Sequence, residues 1–204
     1  MMVTSSSVWS AGAPLPTRLS TGEIVSVEPS AELQAEYVVK LYTRAAALGL
    51  QGVNWYPLAD GSIGEQRGLV TSQLEPKPAF WAYRNATLRL EGTRPLGQLP
   101  AAPVSAGAGE LEAYQFATRD SGRLTAAWLS GTLSGTLDLE LAVRPETREV
   151  EVLDRYGRVE REMQPVKGRV TVEVTTAPVY VVEIPILRQR HVQLPHLPVG
   201  LTAE

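Results

Sequence analysis

No cysteine occurs among the 204 residues. Disulfides and thiolate-held zinc are therefore excluded, although the compartment is left open. Positive charge is not in excess either, since 19 Lys and Arg against 22 Asp and Glu give a formal charge of −3. The basic residues are scattered rather than gathered in a stripe, so nucleic acid is not an expected partner. No apolar run reaches the roughly 18 residues that span a bilayer, and no membrane is expected. The opening Met1-Met2-Val3-Thr4-Ser5-Ser6-Ser7 lacks the basic region and apolar core of a secretory leader, which points to the cytoplasm for the chain as written. His191 and His196 are the two histidines. They stand apart in the tail without acidic neighbours, so neither a metal nor another cofactor is expected.

What is present divides near residue 92. Val3 to Trp9 reads as a strand, followed by a loop broken by Gly12, Pro14 and Pro16 that reaches about Pro29. Ser30 is placed to cap a helix over 31–48, and Gly49 suits its left-handed exit. Leu33, Tyr37, Leu41 and Leu48 fall on one face at helical spacing, which predicts that this face is buried. Val53 to Tyr56 follows a glycine, is apolar and aromatic, and is stopped by Pro57, as a buried strand would be. A polar loop then leads to a second helix from Pro78 to about Leu90. Glu91 to Gly109 is rich in Pro, Gly and Ala and reads as a linker. From Glu112 the period becomes two, with short strands predicted at 114–118, 124–129, 137–143, 149–154, 159–163, 170–175 and 179–184. Strands in that number and spacing make an antiparallel β-sandwich.

Four small motifs lie in order between residues 52 and 90: Val53-Asn54-Trp55-Tyr56, Asp60-Gly61, Gly68-Leu69-Val70 and Pro76-Lys77-Pro78. This order resembles the last strand, loop and helix of the (β/α)8 retaining glycoside hydrolases, in the group that includes β-xylosidase-like and cellulase-like enzymes. Val152-Leu153-Asp154-Arg155-Tyr156-Gly157 and Thr175-Thr176-Ala177-Pro178-Val179-Tyr180-Val181 resemble two signatures of the small sandwich that follows such barrels. The resemblance implies an α+β chain with a partial (β/α) barrel segment at 1–92, a linker at 93–110, a β-sandwich at 111–185 and a tail at 186–204. A complete barrel takes about 250 residues, so strand-helix-strand-helix is a quarter of one. Two parallel strands alone leave outer edges and apolar flanks to be covered. A longer gene product, a partner chain or self-association, or packing against the second domain would each do so.

The resemblance also implies where chemistry would lie. Retaining enzymes set two carboxylates about 5–5.5 Å apart. In the resembled families the acid/base ends the fourth strand, which this chain lacks, and the nucleophile ends the seventh, where Ser5 stands. No Asp or Glu precedes Glu23. No catalytic residue is therefore assigned, and the expected function is that of the C-terminal portion of a glycoside-hydrolase-like protein, inactive alone. Two alternatives stay open: a non-catalytic carbohydrate-binding or scaffolding sandwich, and a degenerate subunit completed by a partner chain. Substrate contacts, with a carbohydrate as ligand, fall to Trp55, Tyr56 and Asp60. Trp55 and Tyr56 are either a sugar platform or core aromatics closing the barrel. Asp60, with Glu65 in the same loop, either touches a sugar hydroxyl or serves the turn before Gly61. Glu23 and Glu28 are assigned to the approach to a helix N-terminus. Trp81, Tyr83 and Trp128 are read as core, and the Asn85-Ala86-Thr87 sequon is discounted because it falls within a helix.

Overall fold

A computed structural model describes residues 2–6 (as backbone), 8, 10–11, 14–61, 66–100, 109–132 and 134–185. In chain order, β1 (Met2–Ser6) precedes a hairpin of β2 (Leu15–Arg18) and β3 (Ile24–Val27), then α1 (Ala31–Ala47), β4 (Gly52–Trp55) and α2 (Pro78–Leu90). β1 and β4 run parallel, with Val3 opposite Val53 and Ser6 opposite Trp55. The Ser30 hydroxyl accepts from the Leu33 N–H at 3.1 Å, which fixes where α1 begins. Gly49 leaves it at φ +67°. Pro78 opens α2, where its missing N–H costs nothing.

The second half begins with β5 (Arg94–Gln98), inside the segment read as a linker, and continues with β6 (Glu110–Ala117), β7 (Arg123–Ser130), β8 (Leu137–Ala142), β9 (Thr147–Leu153), β10 (Val159–Met163), β11 (Arg169–Val174) and β12 (Val179–Pro185). Six of these form an antiparallel sheet in the order β10-β9-β12-β7-β6-β5, and β8 with β11 forms a separate pair. The period-two pattern sends alternate residues into two different cores. Along β7, Leu124, Ala126 and Trp128 face a core shared with the helices, while Ala127 and Leu129 face the β8–β11 pair. On β12, Tyr180 and Val182 join the first core and Val181 the second. The large sheet is thus covered on both faces, by helices on one side and by two strands on the other. The α+β class read from the sequence is borne out.

The helices meet that sheet through small residues. Ala35, Val38 and Val39 of α1 and Ala79 and Ala82 of α2 are wholly buried against Phe116, Trp128 and Tyr180. This corrects the predicted core face of α1, because Leu48 is 76% exposed. Large side chains from the sheet fill the space, so the helix contributes the positions where it has little bulk.

Polar joints hold the two halves in register. Arg44 donates through Nε and Nη2 to the Glu112 carboxylate at 2.8 and 2.6 Å, and its guanidinium lies 5.3 Å from the centre of the Trp128 ring. At the other end, the Asp154 to Gly157 turn is closed by Asp154 Oδ1, which accepts from the Tyr156 and Arg158 N–H groups at 2.8 and 2.9 Å. Gly157 has φ +88°, and a Cβ there would sit 2.4 Å from Asn85 Oδ1. The turn docks on both helices, since Asn85 Nδ2 donates to the Arg155 carbonyl at 3.3 Å and the Tyr156 hydroxyl donates to Glu32 at 2.6 Å. Arg155 donates to the same carboxylate. Burial works against the charged form of Glu32, but the hydrogen bonds from Tyr156 and Arg155 outweigh it and hold its carboxyl below the ordinary range. Burial, followed by the Glu32 contact, pushes the Tyr156 hydroxyl up to about 12.

The long loop expected before α1 contains the β2–β3 hairpin instead. Glu23 therefore sits in a hairpin turn, where its carbonyl accepts from the Leu19 N–H at 2.8 Å. The acidic residue in the first turn of α1 is Glu32.

Candidate functional site

The carboxyl ends of β1 and β4 lie side by side, and the chain leaving β4 folds into a rim above them. Asp60 organises this rim. Its carboxylate accepts both Lys77 Nζ contacts at 3.0 Å and the Gly68 N–H at 2.6 Å. Neither charged side chain of the pair is more than 8% exposed. Burial of an ion pair is tolerable only when further hydrogen bonds complete it, and the Gly68 N–H and the Gln66 carbonyl, 3.3 Å from Lys77 Nζ, do so.

The backbone closes around the pair. Leu69 and Val70 N–H both donate to the Leu58 carbonyl at 2.8 and 3.1 Å, Asp60 N–H donates to Val70 at 3.0 Å, and Lys77 N–H donates to Leu69 at 3.0 Å. A Cβ on Gly68 would lie 2.4 Å from the Asp60 nitrogen, so this position admits no side chain. Asp-Gly, Gly-Leu-Val and Pro-Lys-Pro are therefore three contact points of one folded loop. Their spacing in the sequence is the spacing that lets them meet.

Trp55 is half-buried and fixed on two sides. Its indole N–H donates to the Arg67 carbonyl at 2.9 Å, and its ring meets Tyr37 edge-on at 6.1 Å between centroids. Tyr56, by contrast, is 69% exposed. The structure thus brings Trp55, Tyr56 and Asp60 onto one rim, with Asp60 serving the loop and the Tyr56 ring presented outward. Ser5 lies on β1, which pairs with β4. Glu65, His191, His196 and the tail from 186 onward lie outside the described residues. Among the described residues no three His, Asp or Glu side chains converge to hold a metal ion.

Two residues that the sequence reading did not single out complete the rim. Lys77 is the cation that neutralises Asp60, and its position between Pro76 and Pro78 was the available signal. Gln34 is fully buried in α1, and because it lies between Glu32 and Glu36 in the polar opening of the helix, no local signal marked it. Elsewhere, Trp128 is fully buried and Tyr83 packs against the helix-side core, as expected. Asn85 is 3% exposed on α2, in keeping with the discounted sequon.

No protein-family model and no curated protein matches the sequence. Solved structures do match. A family 39 glycoside hydrolase from the gut symbiont Bacteroides cellulosilyticus WH2 is 17% identical, with a TM-score of 0.59 over 81% of this chain and 35% of that one. The GH51 arabinofuranosidase from Xanthomonas axonopodis pv. citri is 13% identical, with a TM-score of 0.53 over 90% of this chain and 41% of that one. A GH30 endoxylanase from Clostridium papyrosolvens C71 is 10% identical, with a TM-score of 0.50 over 89% and 40%. The chain spans well under half the length of each. The likeness read from its motifs is borne out as a likeness of fold: this chain folds as a part of glycoside hydrolases does.

Proposed function

We propose that this chain supplies the sugar-platform side of a glycoside-hydrolase-like cleft and does not cleave glycosidic bonds by itself. The observation that carries the reading is the Trp55–Tyr56 pair, one ring locked by the Arg67 carbonyl and Tyr37, the next 69% exposed, at the strand ends of a barrel-like βαβα unit. A pyranose lays its C–H face on such a ring, and a ring held in place loses little freedom when it binds. Glycoside hydrolysis by the retaining route needs two free carboxylates about 5–5.5 Å apart. Asp60 is occupied by Lys77 and Gly68, and no acidic residue precedes Glu23. The outer edge of β4 pairs with no strand among the described residues. Further βα units, carried on a companion polypeptide and paired along that edge, would complete the cleft.

Calorimetric titration with xylohexaose and cellohexaose tests the platform. Trp55→Ala is expected to weaken binding about tenfold, the equivalent of roughly 1.4 kcal/mol of lost stacking. The chain alone is expected to release no nitrophenol from nitrophenyl glycosides. Turnover by the chain alone, or wild-type affinity in Trp55→Ala, overturns the reading.

A further inference from the structure

We infer that Gln34 is the positioning residue of the Trp55 platform, acting through the Arg67 carbonyl that its amide shares with the indole N–H. The inference rests on the platform reading above.

Gln34 lies in the second turn of α1 and is fully buried. Its Nε2 faces four backbone carbonyls: Val8 at 2.9 Å, Arg67 at 3.1 Å, Gly68 at 3.3 Å and Gln66 at 3.4 Å. Val8 belongs to the chain leaving β1, and the other three to the return of the loop after β4. One amide group therefore ties the exits of both parallel strands to the helix between them. Four oxygens converging on one point also settle which end of the amide points inward, because an oxygen there would be repelled by all of them.

The Arg67 carbonyl is the shared element. Trp55 Nε1 reaches it at 2.9 Å while Gln34 Nε2 reaches it at 3.1 Å. A carbonyl has two lone pairs, so it accepts both, and fixing its direction from one side fixes the indole on the other. Lys77 and Ser10 contribute a second layer by donating to Gln66 at 3.3 and 3.1 Å. They anchor the neighbouring peptide but do not reach Arg67, which leaves Gln34 as the α1 side chain that holds the carbonyl accepting the indole N–H, while Tyr37 of the same helix meets the ring's edge.

The test uses the full chain labelled with 15N at tryptophan, the Trp55 indole signal being assigned by its loss in Trp55→Phe. Gln34→Met keeps the length and removes the donor. It is expected to raise the solvent-exchange rate of the Trp55 indole N–H at least tenfold, leave the Trp128 signal in place, and weaken xylohexaose binding three- to tenfold. Ala35→Gly, at the next buried position, is the control for loss of stability and is expected to leave the Trp55 signal unmoved. Gln34→Glu gives a second readout: between pH 4 and 9 the Trp55 signal should shift in a single step as the introduced carboxyl ionises among the carbonyls, a step absent from the wild type. An unmoved indole signal in Gln34→Met, an equal shift in Ala35→Gly, or no titration step in Gln34→Glu overturns the inference. If Trp55→Ala binds xylohexaose as the wild type does, the platform reading fails instead, and the exchange rates still decide whether Gln34 sets the ring.

Discussion

The two halves of this chain are held by different physics. The six-stranded sheet is held by alternation, with every second side chain of β7 and β12 entering one of two apolar cores, so that its stability is spread over many contacts. The rim above β1 and β4 is held by a few donors, Gln34, Lys77 and the Trp55 indole, aimed at the carbonyls of residues 66–68. Spread burial gives a sheet that is costly to open anywhere. Concentrated hydrogen bonding gives a loop that is rigid only while each donor is present. A platform for a ligand benefits from the second arrangement, since direction matters there more than bulk.

Three substitutions sharpen the contrast. Trp128→Ala empties the centre of the sheet and is expected to destabilise the whole chain by about 3–5 kcal/mol, read as a lower urea midpoint with all β-strand amides losing protection together. Lys77→Met strands the Asp60 carboxylate in a site with a side-chain exposure of 6%, at a cost of about 3 kcal/mol. Here the loss should be local, with hydrogen exchange rising over residues 56–61 and 66–77 while β7 stays protected. Much of it should return in Lys77→Met with Asp60→Asn. Simultaneous opening of β7 in Lys77→Met would erase the distinction between the halves.

The smallest effect concerns pH. For Glu112, burial opposes ionisation, but the Arg44 hydrogen bonds and charge outweigh it and hold the carboxyl below its ordinary range, as the Tyr156 and Arg155 contacts do for Glu32. A lowered folded value means that the unfolded chain binds protons first as the solution is acidified. The stability added by these groups is complete above about pH 4.3, the unperturbed value, and is lost as pH falls through the folded one. The urea midpoint should therefore drop between about pH 5 and pH 3, and Glu112→Gln should flatten that drop.

How much of this was legible depended on the kind of signal. The strands from 114 to 184 were found because period two survives wherever a strand has two distinct faces. α1 and α2 were placed because Ser30 and Pro78 mark helix starts in their own right. The β2–β3 hairpin and β5 were missed for one shared reason: Pro16 and Pro95 argue against a strand. Both proline strands have a free side, β2 in a two-stranded ribbon and β5 at the sheet edge. The missing N–H costs little in such places. The rim residues were legible as motifs but not as a mechanism. That Asp60 serves Lys77, and that Gln34 reaches both strand exits, depends on contacts between residues 17 and 34 positions apart. No local pattern encodes such contacts.

The double covering of the large sheet also determines how the molecule can be handled. Phe116, Trp128 and Tyr180 pack in the core that the sheet shares with the two helices, so severing the chain near residue 100 would lay bare a sticky aromatic wall. The β-rich half is consequently not a detachable cassette, and whatever inherits it must inherit α1 and α2 as its lining.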